Sequence, residues 1–210
     1  REVDELIFCD IDAHKNGSIQ LSLIDEFADE CFVPLTIAGG IKSLQDIKEL
    51  LKVGADKVCI NSHAIKNLNF IEQAVNKYGS QCIVISIDYK INKNKEKEIY
   101  INSGTTPTGI LLENFIEKIN KIQPGEILIT SIDHDGLMKG YDTNTIKKIS
   151  NLCEIPIIAS GGAGKLEDFY DLLRRTNIKA LSAASIFHFT EITPLDVKKY
   201  LHQLGIKVRL

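Results

Sequence analysis

The chain has 210 residues, of which 44% are hydrophobic and 25% are charged, an ordinary composition for a globular protein with one large core. A net charge of -3 at pH 7 argues against a nucleic-acid or membrane-surface partner, and no apolar run approaches the roughly 20 residues of a membrane span. The five cysteines form no CxxC pair, which favours reduced thiols in a cytoplasmic protein over a disulfide or metal framework. Cys9, Cys59 and Cys82 lie within apolar runs, so we expect them to be buried.

Apolar runs alternate with amphipathic stretches along the chain, a pattern typical of a parallel α/β fold. The predicted strands cover residues 5–10, 34–38, 57–61, 82–88, 126–132, 155–159 and 180–184. The predicted helices cover residues 19–31, 43–53, 67–77, 109–121, 143–151, 165–175 and 194–203. Residues 90–98 are mostly charged, and we expect them to form a solvated hairpin after the fourth strand.

The chain contains an internal repeat. Residues 34–41 and 156–163 each form an apolar strand that ends in Gly-Gly, followed by a helical stretch and a second short strand. The second strands end in Asn61-Ser62 and in Ala184-Ser185. Backbone N–H groups free of side chains, close to a helix N-terminus, suit phosphate binding. The repeat therefore predicts two phosphate sites and a substrate that carries two phosphates.

The predicted architecture is a (β/α)8 TIM barrel with a two-fold internal repeat. Such a barrel has eight strand–helix units in about 250 residues, and only seven strands are predicted here. We therefore expect residues 1–210 to be a single, N-terminally incomplete barrel domain, with the first β-strand/helix unit missing from this chain. The alternative is an open doubly wound sheet, which the internal repeat argues against.

Carboxylates follow three of the predicted strands, at Asp10, Asp88 and Asp133. The carboxyl ends of barrel strands meet at one mouth, where the active sites of such enzymes lie. Carboxylates crowded in a partly dry cavity can have separated pKa values, so that one serves as a base and another as an acid. The alternative for any one of them is a structural role, such as capping a loop or orienting a neighbour.

Several of these segments resemble the cyclase subunits of imidazole glycerol phosphate synthase, the HisF family, over the whole chain. The matching segments are ADKVCINS (55–62), GSQCIVISID (79–88), TGILLENF (108–115), GEILITSIDHDG (125–136), GYDT (140–143), PIIASGGAGK (156–165) and AASIFHF (183–189). The histidine-pathway isomerase that shares this barrel also has GG and IDxDG motifs. The run TSIDHDGLMKGYD and the ending AASIFHF fit the cyclase better.

The resemblance implies site residues, position by position. Asp88 matches one of the family's two catalytic aspartates, and the other lies on the family's first strand, which is not in this sequence. One phosphate site corresponds to Gly40, Asn61 and Ser62, and the other to Asp135, Gly136, Gly162, Ala184 and Ser185. Ser103, Thr130 and Asp133 correspond to residues that line the mouth. Glu5, Lys57 and Glu126 match a charged ring at the opposite end of the barrel, which in the family gates ammonia from a docked glutaminase subunit.

The implied reaction uses that ammonia to convert a bis-phosphorylated aminoimidazole carboxamide ribonucleotide to imidazole glycerol phosphate and the carboxamide ribonucleotide. No residue pattern calls for a metal or an organic cofactor. Four alternatives stay open. The charged ring can be a structural ion-pair cluster. The segments VDELIFCDIDA (3–13), ADECFVPLTIAGG (28–40) and GLMKGYD (136–142) resemble a branch that passes ammonia to a nucleotide-linked sugar in surface-polysaccharide biosynthesis. The protein can also be a non-catalytic, glutaminase-activating conduit, or a sugar-phosphate isomerase.

Overall fold

A computed structural model of the chain describes residues 2–10, 13 and 20–210. Arg1, His14 and the first residue of the helix predicted over 19–31 lie outside the described residues. So do two residues of the segment 3–13 that carries part of the resemblance.

Nine strands and nine α-helices lie in the described part of the chain. The strands are β1 (Leu6–Cys9), β2 (Leu35–Ala38), β3 (Lys57–Ile60), β4 (Ile83–Ile91), β5 (Lys97–Ile101), β6 (Thr106–Leu111), β7 (Glu126–Ser131), β8 (Ile157–Ser160) and β9 (Ala180–Leu181). The helices are α1 (Leu21–Asp29), α2 (Leu44–Lys52), α3 (Ser62–Lys66), α4 (Leu68–Tyr78), α5 (Leu112–Ile119), α6 (Thr143–Leu152), α7 (Leu166–Arg175), α8 (Ser185–Phe189) and α9 (Pro194–Gln203). A 3-10 turn, Ser80–Cys82, precedes β4.

Seven of the strands form one curled parallel sheet with helices between them, which confirms the predicted (β/α)8-barrel class. Their order, β1-β2-β3-β4-β7-β8-β9, follows the chain. Each consecutive pair is parallel, so all seven carboxyl ends lie at one end of the barrel, the mouth, and all seven amino ends lie at the other, the base. The fold thereby places the predicted strand-end residues together.

The two apolar layers of the barrel lie outside and inside the sheet. The outer layer is one large cluster between strands and helices, and Ile37, Ile85 and Ile127 are among its fully buried members. The inner layer is small: Ala38, Cys59 and Val84, with Ile7 and Leu128 packed against them. Successive residues of a strand face opposite sides of the sheet. The residues two positions beyond Cys59, Val84 and Leu128 therefore also face the interior, closer to the mouth.

The hairpin predicted over residues 90–98 is confirmed, and it is larger than predicted. β4 continues to Ile91 and pairs antiparallel with β5 across a turn at Asn92–Glu96. β5 then pairs with β6, Thr106–Leu111. The prediction of helix from residue 109 is therefore wrong at its start, since α5 begins at Leu112. Residues 109–111 are held in the strand by pairing with Glu98, a contact distant in sequence that local helical periodicity cannot reveal.

The two halves of the internal repeat share the same hydrogen bonds at the start of the helix that follows each Gly-Gly strand end. Asp46 lies in the first turn of α2, and its Oδ2 accepts bonds from the backbone N–H groups of Lys42 and Ser43. Asp168 occupies the corresponding position in α7 and accepts bonds from Gly164 and Lys165. These carboxylates satisfy backbone donors that a helix start leaves unpaired. Each half thus orients its Gly-Gly strand end in the same way.

Two features differ from the sequence predictions. The five-residue helices α3 and α8 were not predicted, and they begin at the equivalent residues Ser62 and Ser185 of the two halves. All five cysteines are free, and only Cys59 is buried. The prediction of burial is wrong for Cys9, which is exposed at the end of β1, and for Cys82, which is only half-buried at the end of the 3-10 turn before β4. In the described part of the chain, every helix is too short to span a bilayer.

Candidate functional site

Asp88 lies at the mouth on β4, and its carboxylate is held by side chains from two strands. Its Oδ2 accepts a hydrogen bond from Asn61 Nδ2 at 3.2 Å. Its Oδ1 accepts one from Ser86 Oγ, two residues earlier on the same face of β4, at 3.4 Å. The same Asn61 amide also donates to the Ser86 carbonyl oxygen at 3.2 Å, which fixes the amide between the two strands. Both carboxylate oxygens therefore have a protein donor.

The surroundings raise the pKa of Asp88 from its ordinary value of 3.8 to about 6. Burial is the largest cause, because it disfavours the charged carboxylate. The negative charge of Asp135 raises the pKa further, while the hydrogen bonds from Ser86 and Asn61 oppose the rise. A carboxyl group that titrates near pH 6 can both accept and release a proton near neutral pH.

The predicted site Gly40–Asn61–Ser62 contains a chain of hydrogen bonds. Ser62 Oγ donates to Asn61 Oδ1 at 3.1 Å and accepts from the backbone N–H of Asn102 at 3.0 Å. Asn102 follows β5 and has a positive φ of 53°. Gly40 lies two residues after the end of β2 and also has a positive φ, of 65°. The loop after β5 is thus tied to the strand ends that carry Asn61.

The residues predicted for the second phosphate site come together in one small cleft. Its lining includes Asp135, Gly136, Gly162, Ala184 and Ser185, contributed by the ends of β7, β8 and β9. We call these five residues the Gly162 site. Asp135 is the charged member of the cleft lining, and its negative charge also acts on Asp88. The Gly162 site and the Asp88 carboxylate therefore share one mouth.

The two glycines of the Gly162 site both have a positive φ, but they differ in the space around the β-carbon position. Gly162 has a φ of 113°, and a β-carbon built there would collide with the carbonyl oxygen of Gly140. The backbone N–H of Gly140 donates to the Gly162 carbonyl oxygen at 2.8 Å, which explains the close approach. Gly136 has a φ of 74°, and nothing lies near its β-carbon position. Of these two glycines, Gly162 is required by packing as well as by backbone conformation, and Gly136 by backbone conformation alone.

The other predicted mouth residues have mixed roles. Asp133 Oδ2 accepts a hydrogen bond at 2.9 Å from the backbone N–H of Ile91, so this carboxylate anchors the β4–β5 hairpin. Asp10 Oδ1 accepts one at 2.9 Å from the backbone N–H of Ala13. Thr130 is the parallel partner of Asp88 on β7, and Ser103 lies exposed in the loop after β5. The structural alternative considered for Asp10 and Asp133 thus has contacts to support it.

At the base of the barrel, the predicted charged ring is an ion-pair cluster. Lys57 Nζ lies 2.8 Å from Glu5 Oε2 and 2.9 Å from Glu126 Oε2. Burial by itself would lower the pKa of Lys57, but hydrogen bonds to both glutamates outweigh it, and the pKa is raised. The lysine is therefore charged at neutral pH, and it joins three strand starts across the base.

Sequence reasoning missed Ser86 and Asn102. Ser86 precedes Asp88 by two residues on a strand, so the period-two alternation already places both side chains on one face. That signal was available. The contact of Asn102 with Ser62 depends on the course of the β5–β6 hairpin, for which the sequence carries no comparable signal.

The chain is similar in sequence to known proteins of histidine biosynthesis. A family model described as "Histidine biosynthesis protein" matches residues 1–193. The chain is 47% identical over 208 residues to imidazole glycerol phosphate synthase subunit HisF of Dictyoglomus thermophilum. The aligned region covers 99% of this chain and 82% of that protein. It is 45% identical over 209 residues to the protein of the same name from Clostridium botulinum (strain Alaska E43 / Type E3), with 99% and 83% covered.

The two glycines of the Gly162 site provide a matched test of the local geometry. We expect Gly136→Ala to lower the free energy of unfolding by about 1 kcal/mol, the cost of a left-handed conformation for a residue with a β-carbon. Gly162→Ala must also displace the Gly140 carbonyl, so its loss is at least twice as large. Urea denaturation of both variants measures the difference, and equal losses would contradict the close approach.

Proposed function

This chain belongs to the family of the HisF subunits of imidazole glycerol phosphate synthase, and on that premise we propose that it is the cyclase subunit of such an enzyme. It takes ammonia from a glutaminase subunit and a bis-phosphorylated aminoimidazole carboxamide ribonucleotide. Its products are imidazole glycerol phosphate and the carboxamide ribonucleotide, so it acts in histidine biosynthesis as a lyase. The observation that carries the proposal is the Asp88 carboxylate, which titrates near neutral pH beside the Gly162 site.

The two Gly-Gly strand ends bind the two phosphates of the substrate. One phosphate lies at Gly40, Asn61 and Ser62, and the other lies at the Gly162 site. Two fixed anchors at opposite sides of the mouth hold the reacting arm of the substrate between them. Such positioning lowers the barrier because the reacting groups no longer lose freedom in the transition state.

Asp88 moves protons during attack of ammonia and closure of the imidazole ring. Above pH 6 most of the carboxyl group is ionised and can accept a proton from the attacking nitrogen. The protonated form can then return a proton to an oxygen that leaves. Thr130, Ser103 and Asp133 line the mouth around it, and Asp133 does so while it holds the hairpin in place.

Ammonia enters at the base of the barrel through the charged ring. Lys57 balances one of the two negative charges of Glu5 and Glu126 there, and the small inner layer of Ala38, Cys59 and Val84 lies between the ring and the mouth. Neutral ammonia crosses apolar surroundings more readily than ammonium does, because a charge is costly to remove from water. The glutaminase subunit therefore docks at the base. No observation favours sugar amidination over the cyclase reaction.

The central test is ammonium-dependent turnover of the ribonucleotide by the full-length protein and its Asp88→Asn variant. We expect the variant to lose at least about 100-fold in kcat, because the amide cannot transfer the proton. KM should stay within a few-fold, since the phosphates bind elsewhere. The variant also removes a buried charge that is unfavourable in the folded state, so its melting temperature should not fall at pH 8.

The parent's kcat/KM should rise with pH through about 6, as Asp88 ionises. Asp171→Asn is the control, because Asp171 is an exposed helix residue paired with Arg174. Near-parental turnover by Asp88→Asn would remove this residue from the mechanism, and inactivity of the folded parent would refute the cyclase assignment.

Ala184 provides a test of the phosphate site. Ala184 immediately precedes α8 in the cleft, where aspartate and asparagine are equally acceptable capping residues. We expect Ala184→Asp to raise KM for the bisphosphate by at least about tenfold, because the carboxylate repels the phosphate at close range. Ala184→Asn has nearly the same shape without the charge and should raise KM much less. The same KM for both variants would place the phosphate elsewhere.

Lys57 provides a test of the ammonia entrance. In the complex with the glutaminase subunit, we expect Lys57→Met to reduce glutamine-dependent turnover several-fold more than ammonium-dependent turnover, because it disrupts the ring where ammonia enters. Lys198→Met is the matched control, since Lys198 pairs with Asp4 at 2.9 Å outside the ring. Equal loss with both nitrogen sources would favour the alternative of a structural ion-pair cluster.

A further inference from the structure

Two chains of hydrogen bonds end on the two oxygens of Asp88. The first runs from the Asn102 N–H through the Ser62 hydroxyl and the Asn61 amide to Asp88 Oδ2. The second is shorter and ends at Oδ1, where Ser86 Oγ is the donor. A carboxylate held at both oxygens cannot rotate freely about its terminal bond. Its orientation toward the substrate is therefore set before the substrate binds.

The Ser86 side chain has a second neighbour, the thiol of Cys59. Cys59 is buried on β3, and the nearby Ser86 side chain acts to lower the pKa of its thiol. Burial raises the pKa of the Cys59 thiol, and the nearby charges of Asp88 and Glu126 act in the same direction, so the thiol keeps its proton. A neutral thiol is only a weak hydrogen-bond acceptor, so the Ser86 hydroxyl donates its proton to the stronger acceptor, the Asp88 carboxylate.

We propose that Ser86 is a positioning residue for the cyclase reaction: its hydroxyl orients the Asp88 carboxylate and stabilises its ionised form. This inference rests on the proposed function, because it assigns Ser86 a role through the proton-transfer group of that reaction. The Ser86 hydroxyl contacts Asp88, whereas Asn61 of the phosphate site contacts the Ser86 backbone carbonyl, which a change of side chain leaves in place. Its loss therefore affects the rate and its pH dependence more than substrate binding.

The direction of the pH effect follows from the groups that face Asp88. Asp135 after β7 and Cys9 on β1 interact with it electrostatically, Cys59 lies on β3, and Tyr100 is its partner on β5. Among these neighbours, Asp135 already disfavours the ionised carboxylate. Ser86 and Asn61 oppose that effect by donating hydrogen bonds. Removal of the Ser86 hydroxyl therefore raises the pKa of Asp88 above about 6.

The test compares Ser86→Ala with the parent in ammonium-dependent turnover across pH 5 to 9. We expect kcat to fall about five- to tenfold at pH 8 with KM within twofold. The acid limb should move upward by about half to one pH unit, the size of one typical hydrogen bond. Ser86→Thr keeps the hydroxyl and should restore both quantities. Ser150→Ala is the control, because Ser150 Oγ bonds only the Lys147 carbonyl on α6.

A second readout does not depend on activity. The side-chain carboxyl carbons of ¹³C-labelled aspartate are titrated by NMR in the parent and in Ser86→Ala, with the Asp88 signal assigned by its loss in Asp88→Asn. An upward shift of its titration midpoint supports the proposal. If the parent shows no turnover, the proposed function fails, and this titration still decides the role of Ser86.

Two results would overturn the role of Ser86: an unchanged acid limb together with an unchanged Asp88 titration, or no rescue by Ser86→Thr when that variant folds. Should Ser86→Ala not fold, Ser86→Cys replaces it. Cysteine has a similar shape and a much weaker donor, so it should produce the same upward shift in smaller degree.

Discussion

The register of β4 against its parallel neighbours β3 and β7 is the constraint on which both ends of the barrel depend. At the mouth, Ile60 pairs with Ile85. This register brings Asn61, the residue after Ile60, within hydrogen-bond distance of Asp88. At the base, Val58 pairs with Ile83 and Val84 with Glu126, which brings Lys57 against Glu126. A slip of one residue on β4 would reverse its two faces and separate both groups.

The two ends of the barrel differ in whether their carboxylates are paired with a cation. At the base, a lysine lies between two glutamates and is ion-paired with both, so it balances one of their two negative charges. At the mouth, Asp88 and Asp135 face each other across the site with hydrogen-bond donors but with no cation among the contacts described for them. The ion-paired end suits passage of an uncharged molecule. The other end retains a carboxyl group that can gain and lose a proton near neutral pH.

Parts of the fold could be predicted because they depend on local pattern. The strand from residue 82 reads as an apolar run, and its neighbours in the sheet follow the chain order that a parallel fold requires. The start of α5 was misplaced because Glu98, distant in sequence, holds Gly109 in a strand. The expected burial of Cys9 was wrong because an apolar run does not show which of its residues faces the open mouth. The single-domain extent and the assignment of individual site residues stay predictions.

The sequence by itself determined the class of fold, the two repeated Gly-Gly strand ends and the positions of the strand-end carboxylates, since each depends on residues close together in the chain. Only the tertiary structure decided which carboxylate is poised for proton transfer. Asp88 and Asp133 both lie at the ends of apolar strands in sequence, yet Asp133 binds the Ile91 N–H while Asp88 is half-buried and is influenced by the charge of Asp135. Burial and neighbouring charge set a pKa, and both arise from residues that only folding brings together.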